Sequence, residues 1–152
     1  MRKLATDHAG LEILHLGDCF ALLESVPVGR IGFLAGGEVV ILPVNFLLDG
    51  QDVVFSTGVG SKLASAEVGH YVGFEADAYD AATRSGWSVL VSGLAEVVES
   101  DAEGARLDAL GLQPWGGAAT DRSWVRIRPT SVTGRHTPVH EGPHDPSLLR
   151  DR

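Results

Sequence analysis

Apolar positions along this chain alternate more often than they recur at helical spacing. The alternation is longest from Gly86 to Glu99. There Trp87, Val89, Val91, Ala95 and Val97 fall on one face and Leu90, Leu94 and Val98 on the other, the period of two that a strand requires. Val28 to Leu34 predicts a shorter strand, broken by Gly36-Gly37. Glu38 to Leu48 predicts a long strand, apolar on both faces and so expected to be covered on both sides. Asp49-Gly50 is a hairpin turn signal, with Val53 to Thr57 as the returning strand. His70 to Ala76 and Trp124 to Val132 bring the strands to six. Helical patterning is confined to short stretches. Gly17 to Val26 has an apolar face of Phe20 and Leu23, with Leu22 beside them, and stops at Pro27. Ser61 to Val68 closes at Gly69. Ser100-Asp101-Ala102-Glu103 is a capping box, with a cap serine and a glutamate three residues on, and its helix ends near Gly111. Six strands with short flanking helices predict a mainly β fold, a closed or nearly closed antiparallel barrel.

Periodicity fails near the C-terminus. From about Thr137 onward Pro138, Gly142, Pro143, Pro146 and charged residues replace alternating apolar ones. The expected organisation is one barrel domain over residues 1–136 and a disordered tail over 137–152. Hydrophobic content of 44% with 21% charged residues is a globular balance. A net charge of -8 leaves no broad basic face, so neither a nucleic acid nor an anionic membrane surface is an expected partner. The single cysteine, Cys19, rules out an intrachain disulfide and reads as a small buried hydrophobe on the first helix. Met1 to Gly10 has no long apolar core, and no apolar run approaches the roughly 20 residues of a membrane span. A cytoplasmic protein is expected.

The most chemically explicit segment is Phe55-Ser56-Thr57 running into Gly58-Val59-Gly60-Ser61-Lys62. A strand, a glycine turn and a helix opening on a hydroxyl and an ammonium together make an anion site, most naturally for phosphate. A phosphorylated cofactor follows, with Pro43-Val44-Asn45-Phe46 and Gly86-Trp87-Ser88-Val89 as places for the rest of it. Asn45 interrupts an apolar strand, so its amide needs partners, in a neighbouring loop or on a cofactor edge. Pro43 removes a ladder donor and marks an edge, a bulge or a surface on which a ring packs.

In order and spacing, several segments resemble the pyridoxamine 5'-phosphate oxidase-like family, the flavin-binding split barrels. They are Val28-Gly29-Arg30-Ile31-Gly32-Phe33, Leu42 to Phe46, Phe55-Ser56-Thr57, Gly60-Ser61-Lys62-Leu63, Gly86 to Gly93 and Trp124 to Pro129. The resemblance covers about Leu11 to Arg135, and its nearer likeness is to the small actinobacterial-type members. It implies a six-stranded antiparallel split barrel and a homodimer with FMN at the subunit interface. It also implies that Pro43, Val44, Asn45 and Phe46 run along the isoalloxazine ring and that Lys62, with Ser61, sits on the phosphate. Phe55, Ser56, Thr57, Trp87, Ser88 and Val89 complete the implied cofactor set. The arginine and histidine pattern that grips pyridoxal phosphate in the oxidase itself has no match here.

The remaining candidates read as structural. Trp87 and Trp124 are expected in core or interface, and Trp115, between Pro114 and Gly116, on an exposed loop. Arg30 is expected in an ion pair. Arg126 and Arg128 alternate along the last strand and are expected on a solvated face, with a substrate-anion grip as the alternative. His136, His140 and His144 repeat every four residues, but the nearby prolines argue against a helical metal stripe. No metal site, catalytic triad or zinc-type cysteine pair is read. The function expected is that of an FMN-dependent oxidoreductase acting on an unidentified small molecule. The alternatives are a reductase using the deazaflavin coenzyme and a flavin-binding protein without turnover.

Overall fold

The structure is a computed structural model, and it describes residues 4–58, 70–116 and 122–139. In chain order the elements are β1 (Glu12–Ile13), α1 (Leu16–Glu24), β2 (Val28–Ala35), β3 (Glu38–Asn45), β4 (Leu47–Asp49), β5 (Asp52–Gly58), β6 (Tyr71–Asp80), β7 (Ser85–Val97), α2 (Asp101–Asp108) and β8 (Arg122–Thr137). All the strands join one antiparallel sheet in the order β3-β2-β6-β7-β8-β5-β4, with β1 added to β8. The helix expected over 61–68 lies outside the described residues, as does the tail from residue 140 on.

Local chemistry sets the turns. Gly36 and Gly37 have φ of 57° and 81° and close the β2–β3 hairpin between Ala35 and Glu38, the doubly positive geometry that matches strand twist. Gly50, at φ 64°, turns β4 into β5. The serine half of the capping box forms, with Glu103 N donating to Ser100 Oγ at 3.3 Å, while the Glu103 carboxylate accepts from Arg106 and Arg126.

The strand expected over 38–48 is two strands. At Phe46 the chain leaves β2 as pairing partner and takes up β5. These partners lie near opposite ends of the sheet order, so a single residue joins the two terminal strands. The sheet must therefore curl until its ends meet, which makes the split barrel. Phe46 turns inward and packs edge-to-face on Phe74, with ring centroids 4.8 Å apart. With the two-residue β1, this division raises the strands from the expected six to eight. The last strand also runs beyond the expected Val132. Its pairing with β7 shifts register between Ser92 and Gly93, which lie opposite Ser131 and Pro129, so Thr130 is the extra residue of a bulge and Pro129 stands beside it.

Alternation separates two surfaces. Ile31, Phe33, Phe55, Phe74, Val89, Val91, Val125 and Ile127 fill the interior. Coverage on both sides, expected for residues 38–48, is not found among the described residues: Val39 is 74% exposed and Ile41 67%. On the outer face of β3-β2-β6-β7, Val39 pairs with Leu34 and Tyr71 with Leu94, and these side chains are exposed. Gly32 and Gly73 pair in the adjacent row. Among the described residues no helix is long and apolar enough to cross a membrane.

α1 covers the interior where Gly134 of β8 makes room. A Cβ on Gly134 would lie 2.6 Å from Cys19 Sγ and 2.9 Å from Leu14 Cδ1. Cys19 is accordingly buried, as read from the sequence, and burial, followed by nearby Asp18, pushes its thiol pKa up. α2 covers the outer face of β5 and β8, with Leu107 against Val54 and Trp124.

Under that helix lies a charged knot. Arg126 is 6% exposed, although its position suggested a solvated face. It donates to Asp52 Oδ2 and Asp49 Oδ2 at 2.8 Å and to Glu103 Oε1 at 2.7 Å. Alternation did point it outward, and α2 with the β4–β5 turn then buried that side. Arg106 joins from α2, binding Asp49 at 3.1 and 2.5 Å. Arg106, then Arg126, hold the Asp49 carboxyl at a pKa of about 2, well below the usual value of about 3.9.

Two predictions follow from the packing. Because the folded state depresses the pKa of Asp49, its contribution to stability is complete above about pH 4 and is lost as pH falls toward 2. Arg126→Met takes a guanidinium partner from Asp52 and leaves Asp49 and Glu103 with Arg106, and should cost about 1.5–3 kcal/mol at neutral pH, with a flatter acid limb. Urea unfolding at pH 7 and pH 3 measures both effects. Gly134→Ala should cost about 1–3 kcal/mol through overpacking against Cys19, and adding Cys19→Ala should recover part of the loss in a double-mutant cycle.

Candidate functional site

Where the barrel ends approach one another, the edge strand β3 and the end of β5 frame a cavity of about 290 Å3. Leu42, Pro43, Val44 and Asn45 form one wall and Ser56, Thr57 and Gly58 another; Leu112 and Pro114 come from the loop after α2, and Arg122 opens β8. Pro43 fits because β3 terminates the sheet path, where a missing N–H is tolerated. Antiparallel pairing sets Gly58 opposite Arg122 and Ser56 opposite Trp124. Arg122 Nη1 donates to Ser56 Oγ at 3.0 Å, which places its guanidinium at the cavity wall.

Asn45 finds its partners in the protein itself. Its Nδ2 donates to the Pro27 carbonyl at 3.3 Å, and its Oδ1 accepts from Trp115 N at 2.9 Å. The second bond ties the loop after α2 to the end of β3 and fixes Leu112 and Pro114 over the opening. Trp115 itself is 74% exposed, as its loop setting suggested.

A second and larger cavity, about 750 Å3, shares Ser56, Leu112, Pro114 and Arg122 with the first. It extends past Val98 to Asp101 and along Gly104, Ala105 and Asp108 of α2. Trp124 closes its inner side, with Nε1 donating to Asp108 Oδ1 at 2.7 Å. That tryptophan is a packing residue between helix and sheet.

Of the residues proposed from the sequence, the smaller cavity brings together Pro43, Val44, Asn45, Ser56 and Thr57. Phe46, Phe55 and Val89 lie in the core beneath, and Trp87 packs against that core. Ser88 faces out on β7, in register with Asp77 and Arg135. Ser61 and Lys62 lie outside the described residues. Arg30 pairs with Glu75 and Asp77 at 3.3 Å, so it is the expected ion pair. Burial, followed by repulsion from Asp77, raises the Glu75 pKa. Arg128 is 62% exposed at its side chain and binds Glu96 at 2.8 Å. His136 binds Glu12 at 2.8 Å, and no cluster of metal-ligating side chains occurs among the described residues. Sequence reasoning missed Arg122, Leu112 and Pro114 as cavity residues. Leu112 and Pro114 lie in an irregular loop, where no periodicity assigns a direction to a side chain, and Arg122 opens β8 ahead of Trp124, where the last strand was expected to begin.

This framework has known counterparts. A family model described as pyridoxamine 5'-phosphate oxidase matches residues 16–136. The uncharacterized protein Rv0080 of Mycobacterium tuberculosis is 36% identical over 139 residues, covering 87% of this chain and 90% of that one. The FAD binding protein from Mycobacterium smegmatis superposes with a TM-score of 0.72 at 39% identity, over 83% of this chain and 99% of its own. A conserved protein of unknown function from Corynebacterium diphtheriae, DIP1874, superposes with a TM-score of 0.69 at 34% identity, over 82% and 96%. The matched span contains the barrel from α1 almost to the end of β8 and the framework of both cavities, and over it this chain belongs to the pyridoxamine 5'-phosphate oxidase family.

Proposed function

We propose that this chain binds a flavin nucleotide in the smaller cavity and works as a flavin-dependent oxidoreductase on a small molecule. The observation that carries the reading is the wall chemistry of that cavity within a family of flavin-binding barrels. Leu42, Pro43 and Val44 offer an apolar surface suited to a flat ring, and Ser56, Thr57 and Arg122 offer hydroxyl and guanidinium donors suited to ribityl and phosphate oxygens. The similarity to an FAD binding protein supports the same cofactor class. A bound flavin supplies its own electron and hydride chemistry. The residues of this chain position it, hold its anionic end and limit water. Asn45 acts by holding the loop with Leu112 and Pro114 over the opening. FMN is the smallest nucleotide that satisfies these contacts; the deazaflavin coenzyme, or flavin binding without turnover, are the competing readings.

The working form is a homodimer with the cofactor at its seam. Leu34 at 68% exposure, Val39, Ile41 and Tyr71 at 66% make a contiguous apolar outer face, larger than isolated surface hydrophobes account for. A second copy presenting the same face gives the self-complementary contact of a two-fold dimer.

Two experiments test these points. Light scattering at micromolar concentration should return twice the chain mass, and Leu34→Glu with Ile41→Glu should return the monomer; a monomeric parent removes the dimer. Lys62→Ala should weaken FMN binding about tenfold to a hundredfold, the loss of one hydrogen bond to a charged group, and leave riboflavin binding unchanged. Titrations of riboflavin, FMN and the deazaflavin coenzyme identify the class. Equal binding of FMN by parent and variant removes Lys62 from the phosphate site.

A further inference from the structure

We infer that Arg30, Glu75 and Asp77, one guanidinium between two carboxylates on the outer face of the sheet, make the pairing of two copies of this chain depend on pH, with the dimer tighter in mild acid than at neutral pH. The inference rests on the reading of that face as the dimer contact. Arg30 Nη1 lies 3.3 Å from Glu75 Oε2 and 3.3 Å from Asp77 Oδ1. One positive and two negative charges leave a net single negative charge at this place on each chain. The cluster stands within the apolar field. Arg30, Gly32 and Leu34 alternate outward along β2, and Tyr71, Gly73 and Glu75 along β6. Leu90, 47% exposed, stands opposite Glu75 on β7, and Ile41 stands opposite Gly32 on β3.

A two-fold contact brings the same charge to the seam twice. The side chains of Glu75 and Asp77 are 31% and 30% exposed, so water still screens them in the single chain. A second copy laid on Leu34, Ile41 and Tyr71 excludes that water and adds its own cluster. An uncompensated carboxylate is costly to bury, and like charges repel. One proton per chain removes both penalties, because a single carboxylate then faces Arg30. Glu75 is the side chain prepared to take it. Burial and then Asp77 already raise its carboxyl in the single chain, against the pull of Arg30. Among the described residues the neighbouring strands bring no second cation to the pair. β3 places Pro43 opposite Arg30, and β7 places Leu90 and Ser88 opposite Glu75 and Asp77. Beyond Ser88, Arg135 of β8 is bound to Asp7 at 2.9 Å. Along β6 itself, the phenols of Tyr71 and Tyr79 stand at the two ends of the same outward row.

Linkage sets the direction. Loss of water and the second cluster raise the Glu75 carboxyl further in the dimer than in the single chain, so association takes up protons. The dimer is weakest above the pKa it imposes, tightens as pH falls through that value, and gains nothing more below the pKa of the single chain. Two carboxylates in contact titrate as a pair, so the proton belongs to Glu75 and Asp77 together. With two protons taken up per dimer, the association constant changes by at most about a hundredfold per pH unit. Pro43, opposite Arg30 in register, also lines the smaller cavity. A cofactor held at the seam therefore inherits the same dependence.

The test is the dimer dissociation constant of the full chain at about pH 7.5 and about pH 5.5 and constant ionic strength, from sedimentation of fluorescently labelled chain diluted from micromolar to nanomolar. Subunit exchange between donor- and acceptor-labelled chains gives the same comparison where the dimer persists on dilution. The parent dimer should be at least about tenfold tighter at the lower pH. Glu75→Gln should be as tight at pH 7.5 as the parent is at pH 5.5 and should change by less than about twofold between them. Asp77→Asn leaves one carboxylate on Arg30 and should behave in the same way; it decides the matter if Glu75→Gln does not fold. Glu24→Gln makes the same change of charge on an exposed side chain of α1 and should keep the parent's pH dependence, which separates the cluster from the net charge of the chain. A parent dimer indifferent to pH, or a pH dependence that survives in both Glu75→Gln and Asp77→Asn, overturns the inference and leaves the dimer reading intact. A parent that is monomeric at both pH values overturns both.

Discussion

The constraint on which the rest of this structure depends is the single residue, Phe46, between β3 and β4. Those strands occupy the two ends of the sheet order. Joining them through one residue forbids a flat sheet and brings Pro43–Asn45 near Ser56–Gly58, which are distant along the sheet. The smaller cavity is the gap left at that meeting. Phe46 holds the closure from inside through Phe74. The site is therefore a product of barrel closure rather than of any one loop, and its walls are strand backbone, the most rigid scaffold available to the chain.

A second division of labour separates charge from ligand. The strongest electrostatic feature, Arg126 among Asp49, Asp52 and Glu103, takes no part in either of the two connected cavities. It pins the β4–β5 turn and α2 to the sheet. Paired burial of this kind is a weak source of net stability but a strong one of positional specificity in some systems. Here it fixes the helix whose other face lines the larger cavity. Arg126 and Arg122 stand four residues apart on the same strand, one locked into the framework and the other at the junction of the cavities.

Most of the barrel was legible because period-two patterning and glycine turns are local signals. Val89, Val91 and Ala95, placed on one face by alternation, are all buried in the interior. What was not legible depended on distant partners. The break at Phe46 has no turn residue to announce it, since it comes from an exchange of neighbours rather than a change of direction. The strand expected to end at Val132 runs on to Thr137 because β7 and β1 pair with its far end. Arg126 looked solvated because the cover, α2, is contributed by another part of the chain. For the site, Pro43 to Asn45 and Ser56-Thr57 were visible as polar or proline interruptions in strands. The Leu112–Pro114 loop carries no periodic pattern, Arg122 lies just ahead of the expected start of the last strand, and only tertiary closure gives them a role.

The breadth of pairing along β8 has a consequence for how the chain reaches this state. One strand, the last among the described residues, pairs with β7 along most of its length, with β5 through its first part and with β1 near its end. Earlier pieces can form as local hairpins, β2 with β3, β4 with β5 and β6 with β7. The β2–β3 and β6–β7 hairpins can join through β2 and β6, but the β4–β5 hairpin cannot be added to the sheet until β8 arrives, because β8 joins the β7 side to the β5 side. Contacts of such large sequence separation fold slowly, since chain entropy is lost before the contacts compensate. During synthesis the growing polypeptide therefore carries unpaired β5 and β7 edges until the final strand leaves the ribosome, and this interval is the period in which the protein is most exposed to misassociation.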